Sequence, residues 1–242
     1  MKTVIVTGGS KGIGKSIVCG LAKKGYNVIL NYNKSQSEAT FIQEDLKKCG
    51  FYIDIFQSDV SKKNQVDDMI KYVIDKYNKI DVLINNAGIS QIKPFLDIEE
   101  YEWDNMINVN LKSVYNTSKA VLPNMLKYKE GLIINISSIW GIIGASCEVH
   151  YSTAKAGMIG FTKALAKEMG PSNIRVNGIA PGIIDTDMNN DLNDKEKKNI
   201  INNIPLEKIG KPEYIEKCIE WLINDEYTTG QIISIDGGWG IN

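Results

Sequence analysis

The sequence predicts an α/β fold, a doubly wound parallel sheet of about seven strands with helices on both faces. Three observations carry that expectation. Short β-branched runs alternate with longer helical patterns along the 242 residues. The runs are largely apolar, as in strands buried on both faces. The first of them feeds Thr7-Gly8-Gly9-Ser10-Lys11-Gly12-Ile13-Gly14, a glycine-rich turn between a strand and a helix.

The strand runs are Thr3–Thr7, Asn27–Tyr32, Phe51–Ser58, Asp81–Asn85, Leu132–Ser137, Arg175–Ala180 and Gln231–Ile235. Helical patterns fall near 13–25, 36–48, 62–77, 101–128, 151–169 and 212–223. Right-handed crossovers between parallel strands put those helices on the two faces. No repeat, low-complexity tract or Pro/Gly linker divides the chain, so residues 1–242 are expected to form a single domain. Residues 185–205 break the alternation with the polar run Asn189-Asn-Asp-Leu-Asn-Asp-Lys-Glu-Lys-Lys198. Because the segment leaves a strand's carboxyl end, it is expected to be a lid over a substrate; a solvated surface helix is the alternative.

Charge and cysteines exclude several classes. The 28 basic and 29 acidic residues leave a net charge of −1, and the lysines are scattered, which argues against nucleic acid. Cys19, Cys49, Cys147 and Cys218 have no metal-type spacing, so no metal is expected and reduced thiols are. Met1 leads straight into the first strand, with no room for a signal peptide, and no apolar run is long enough to span a bilayer. A cytoplasmic protein with no membrane partner is the expectation.

The glycine turn reads as a Rossmann-type dinucleotide site. Gly8 allows the tight turn, Gly12 lets backbone approach a pyrophosphate, and Gly14 permits close helix–strand packing. The helix that follows offers unpaired N–H groups and a positive dipole end to phosphates. The second strand ends Leu30-Asn31-Tyr32-Asn33-Lys34-Ser35, without the acid that would hold a ribose 2′-hydroxyl. Lys11 and Lys34 could both approach a 2′-phosphate, so the expected cofactor is NADP, used as NADPH. The alternative leaves both lysines merely exposed and the choice to Asn33 and Ser35.

Tyr151 and Lys155 stand four residues apart in Tyr151-Ser-Thr-Ala-Lys155, and Ser138 closes an apolar run upstream. On a helix that spacing puts phenol and ammonium on one face. A phenol titrates near ~10 in water, and a cation beside it favours phenolate. With the Ser138 hydroxyl holding a substrate oxygen, the group can move a proton to or from a C–O bond while a hydride moves elsewhere. His150 is the only histidine; with no G-x-S-x-G elbow it does not suggest a hydrolase, and it is expected at the pocket rim.

These motifs resemble the short-chain dehydrogenase/reductase superfamily from end to end. The Thr7–Gly14 loop, Asn85-Asn86-Ala87-Gly88, Asp59-Val60, Asn110 in Asn108-Val-Asn110-Leu, Ser138, Tyr151, Lys155 and Pro181-Gly182 through Thr186 follow the family order. The resemblance implies that Tyr151 supplies the proton to a carbonyl oxygen held by Ser138. Lys155 would bind the nicotinamide ribose and lower the Tyr151 pKa, and Asn110 would fix a water. It also implies that Asn86, Ala87 and Gly88 line the cofactor with Ser10 and Ile13, and that Asp59 and Val60 meet the adenine. Tyr32 would lie at the end of the second strand beside the cofactor, and Ile184 and Thr186 would grip the carboxamide. A homotetramer built on the helices near 101–128 and 151–169 is implied as well.

Within the superfamily the layout resembles 3-oxoacyl-acyl-carrier-protein reductases of fatty acid biosynthesis, through Ile204-Pro-Leu206, Gly210-Lys-Pro212-Glu and Thr229-Gly-Gln-x-Ile-x-x-Asp-Gly-Gly238. Two departures stand out. Glu148 replaces the neutral Gln usual in that group, and Lys129, Glu130, Leu132 and Ser172 occupy places where carrier reductases tend to show arginines. The stretch from Trp140 through Glu148 also resembles elongation factor P 5-aminopentanone reductases, whose ketone lies on a modified lysine bearing an amine. Trp140 and Glu148 are thus the expected substrate pocket. The substrate is a small-molecule or carrier-bound ketone, or a modified protein side chain. A non-catalytic dinucleotide-binding sensor is the remaining alternative, disfavoured because Tyr151, Lys155, Ser138 and Asn110 are all kept.

Overall fold

The computed structural model describes residues 1–186 and 194–241, with the side chains of 194–197 left out of the description. Its strands are β1 (Thr3–Val6), β2 (Asn27–Tyr32), β3 (Ile53–Gln57), β4 (Val82–Asn85), β5 (Gly131–Ile136), β6 (Ile174–Pro181) and β7 (Ile232–Ile235). They form one seven-stranded sheet in the order β3-β2-β1-β4-β5-β6-β7, parallel throughout. The helices are α1 (Gly12–Lys23), α2 (Gln36–Lys48), α3 (Lys63–Tyr77), α4 (Glu100–Ile107), α5 (Ser113–Tyr128), α6 (Trp140–Ile143), α7 (Val149–Met169), α8 (Asp194–Asn202) and α9 (Pro212–Asn224).

The apolar strands are explained by two cores. Val4, Val6, Val28 and Leu30 face Ile17, Leu21 and Leu222 of α1 and α9. Ile5 and Ile29 point the other way, to Val66, Met69 and Val121 of α3 and α5. With side chains alternating across the sheet and both faces covered, every strand position favours an apolar residue. At ~25 cal/mol per Å² of buried apolar surface, these two faces are the main stabilising term. The chain moves outward from β1 to β3, then returns to β4 on the other side of β1. The crevice between β1 and β4 at the carboxyl edge is therefore the topological switch point, where such sheets bind ligands.

Two expectations change. The helix expected over 101–128 is broken: a π-type turn over Asn108–Lys112 joins α4 to α5. Asn110 lies in it, and its Nδ2 donates to the Met106 carbonyl (3.2 Å), giving that wide turn a side-chain brace. The helix that carries Tyr151 and Lys155 begins at Val149, two residues before Tyr151, after the short α6. Of the proposed lid over 185–205, the part at 187–193 lies outside the described residues; the backbone of 194–202 is helical.

Candidate active site

The glycine loop and the Asn85–Gly88 motif are stitched together at the switch point. Thr7 Oγ1 accepts hydrogen bonds from the backbone N–H groups of Asn86 (2.9 Å) and Ala87 (3.0 Å). Asn86 Nδ2 donates to the carbonyls of Thr7 (3.0 Å) and Gly8 (2.9 Å). Gly8 has φ +62°, and a Cβ there would stand 2.8 Å from Ala87 Cα. On Gly14 a Cβ would fall 2.2 Å from the Gly8 carbonyl oxygen, so glycine is required for the close approach. α1 begins with no side-chain cap and no acid in its first turn. A glycine cradle opening onto an uncapped, acid-free helix start fits the pyrophosphate of a dinucleotide.

The flanks of the cleft vary more. Ser10 Oγ lies 2.6 Å from Ser35 Oγ, joining the glycine loop to the turn after β2. Asn33 and Lys34 are exposed, whereas Tyr32 is buried in the core. Lys11 Nζ meets Glu38 Oε1 at 2.7 Å, and that hydrogen bond holds the Glu38 carboxyl down at about 2. Glu38, in the first turn of α2, is an acid that inspection of the strand end alone overlooks. Asp59 Oδ1 accepts from Ser61 N (2.9 Å) and Ser61 Oγ (2.7 Å), and Val60 is buried. Across the cleft, the Pro181 carbonyl accepts from Ile139 N (2.9 Å) and Gly182 N donates to the Ile235 carbonyl (3.0 Å). Ile184 is buried, and Thr186 sits against Gly12, where a Cβ would reach its Cγ2 at 3.2 Å. Ile13 packs partly buried against the core.

Ser138, Tyr151 and Lys155 are brought together beyond the carboxyl end of β5. Ser138 is 7% exposed and Lys155 3%. The Ser138 hydroxyl accepts from Trp140 N (3.2 Å) and is also a hydrogen-bond partner of Tyr151. Lys155 Nζ lies 5.6 Å from the centre of the Tyr151 ring and donates to the Ile136 carbonyl (2.8 Å). Burial pushes the Lys155 amine down to about 8. Burial also pushes the Tyr151 phenol up to about 12; the Ser138 bond opposes this and the Glu148 charge adds to it. The net Tyr151 shift is upward, with burial its largest cause. Desolvation dominates, and the ammonium proton is directed to a backbone carbonyl.

Asn110 is fully buried: its Nδ2 donates to the Ile89 carbonyl (3.0 Å) and its Oδ1 accepts from Ile89 N (3.1 Å). Its side chain thus holds the segment after β4. Trp140 packs edge-on against Trp239 at 4.7 Å, a partner the sequence did not indicate. Glu148 precedes α7 without a side-chain cap, its carboxylate makes no hydrogen bond or ion pair among the described residues, and burial pushes it up. His150 is corrected from a rim residue to a fully buried one.

A dinucleotide cradle beside a Tyr–Lys–Ser cluster defines a nicotinamide-dependent oxidoreductase. The chain belongs to the short-chain dehydrogenase family, whose model, described as short chain dehydrogenase, matches residues 2–197. It is an enzyme that interconverts CH–OH and C=O groups using a nicotinamide dinucleotide.

Three relatives are each called 3-oxoacyl-acyl-carrier-protein reductase. The one from Chlamydia trachomatis is 46% identical over 242 residues, covering 98% of this chain and 96% of its own. That of Staphylococcus epidermidis is 41% identical over 239 residues, covering 98% of each. The Thermotoga maritima protein is 40% identical over 239 residues, covering 98% and 97%. No helix among the described residues is long and apolar enough to cross a membrane, and no described cluster of His, Cys, Asp and Glu could hold a metal.

Proposed function

We propose that this chain reduces a 3-oxoacyl thioester on an acyl carrier to the 3-hydroxyacyl form, using NADPH. The observation that carries the reading is the Ser138–Tyr151–Lys155 cluster at the sheet's switch-point edge. Names and identity of the full-length relatives support the substrate class. When bound, the cofactor supplies the hydride. Ser138, held by Trp140 N, positions the ketone oxygen through its hydroxyl. Tyr151, protonated at neutral pH because its phenol is pushed up to about 12, donates the proton to that oxygen. Lys155 charges readily near neutral pH, at about 8, and then stabilises the phenolate left behind. Asn110 holds Ile89 and so the wall beside Lys155. In this reading residues 1–242 act as one domain, and the chain assembles as a homotetramer through α5 and α7.

The test is loss of reduced-nicotinamide absorbance with acetoacetyl-CoA, for wild type and Tyr151→Phe. Turnover with NADPH that falls at least ~100-fold in the variant, while NADPH still binds, supports the reading. Wild-type turnover that Tyr151→Phe leaves intact would refute it.

Glu148 favours a second reading. A half-buried, unpartnered carboxylate acting on Tyr151 suits a ketone that carries an amine, such as aminopentanone-modified elongation factor P. Glu148→Gln separates the two. It would raise KM for an amino-ketone and leave acetoacetyl-CoA turnover within about twofold of wild type.

A further inference from the structure

His150 takes no part in the reaction just described, yet none of its surface is exposed. Its Nε2 lies 3.1 Å from Gln91 Oε1. The far end of that amide fixes its orientation: Gln91 Nε2 donates to Glu102 Oε1 at 2.7 Å, which turns Oε1 toward the imidazole. The His150 proton therefore sits on Nε2 and is donated to Gln91. Nδ1 is buried and has no hydrogen-bond partner among the described residues. A second proton there would be buried and unpaired. Burial accordingly holds the pKa down, against the pull of Glu102 and with the push of Lys93. His150 is a neutral, one-directional donor.

The chain of contacts continues. Glu102 Oε2 accepts from Lys93 Nζ (2.6 Å) and from Glu99 N at the start of α4 (2.9 Å). Lys93 N donates to the Cys147 carbonyl (2.7 Å), just ahead of α7. At the other end, Ile89 is clasped by Asn110, and a methyl group on Gly88 would stand 3.6 Å from Lys155 Nζ. Residues 88–94 thus form a strap from beside Lys155 to the loop before Tyr151. His150 grips its middle from the helix that carries both.

We propose that His150 is a positioning residue for ketone reduction. Through Gln91 it fixes the 88–94 strap against the first turn of α7, and so sets where the substrate carbonyl stands relative to Tyr151 and Ser138. This rests on the reading of Tyr151 and Ser138 given above. An ångström of misplacement at a reacting centre lowers turnover by up to ~100-fold.

Two variants of His150 and one of Gln91 test it. His150→Leu removes the donor, His150→Gln returns an N–H at similar reach, and Gln91→Met removes the acceptor from a partly exposed strap. The expected result is a fall of about 10- to 100-fold in kcat/KM for acetoacetyl-CoA in His150→Leu and Gln91→Met. Recovery to within about threefold is expected in His150→Gln, and the double variant should be no worse than either single one. NADPH affinity, read by fluorescence titration, should stay within about twofold, and amide exchange across 89–93 should accelerate. Wild-type kcat/KM in Gln91→Met, or losses that multiply in the double variant, would overturn the proposal. If wild type reduces no ketone, the functional reading fails separately. The exchange measurement then still decides whether His150 holds the strap.

Discussion

At the corner proposed to be catalytic, Asn110, Lys155 and Ser138 are 0, 3 and 7% exposed, and hydrogen bonds to backbone groups engage all three. At the other end of the cleft, where the adenosine half is proposed to lie, Asn33 and Lys34 stand in solvent. There the Lys11–Glu38 ion pair joins side chains that are 54% and 40% exposed. The difference fits what each end is proposed to do. Proton transfer needs fixed geometry, which buried and mutually satisfied polar groups provide. Sorting cofactors by a 2′-phosphate needs only net charge in reach, and exposed side chains do that with weak, salt-sensitive interactions.

The largest expected effect belongs to Lys155. Lys155→Met should lower kcat at least ~1,000-fold and also change the pH dependence of stability. The amine is depressed from 10.5 to about 8 in the folded chain. Between those values the unfolded chain binds the extra proton, so wild-type stability rises with pH, by up to ~1.4 kcal/mol per pH unit. Tyr151 acts with the opposite sign and later. Its stabilisation is complete below pH 10 and is lost as pH climbs through about 12. Denaturant titrations at pH 8 and 9.5 should therefore show a positive slope in wild type that Lys155→Met flattens. An unchanged slope would mean that this corner is less desolvated than the contrast requires.

A smaller effect is expected at Gly14, where the exposed end still depends on close backbone packing. Gly14→Ala puts a methyl 2.2 Å from the Gly8 oxygen and 2.6 Å from Asn86 Nδ2. Dinucleotide affinity should fall at least ~10-fold, as seen by calorimetry, because the loop must move. The smallest effect belongs to Glu38. Glu38→Gln removes a carboxylate charge beside Lys11 and should tighten NADPH binding about two- to fivefold while leaving NADH unchanged. The gain should vanish at ~1 M salt. Equal effects on both cofactors would remove Glu38 from the selectivity argument.

Order along the chain and residue chemistry were enough to read seven parallel strands, the glycine cradle and the Ser138–Tyr151–Lys155 cluster. Apolar runs report two-sided burial directly, and i,i+4 spacing reports one helix face. The helix break at Asn108–Lys112 left no such trace. It accompanies a side chain bonded to Ile89, a partner twenty-one residues away. The same holds for Glu38 beside Lys11 and for His150 in its buried donor role, since each depends on which surfaces the packed helices bring together. The sign of the Tyr151 shift was also beyond the sequence. A neighbouring cation can be read from spacing, but the desolvation that sets the sign arises only from tertiary packing around Tyr151.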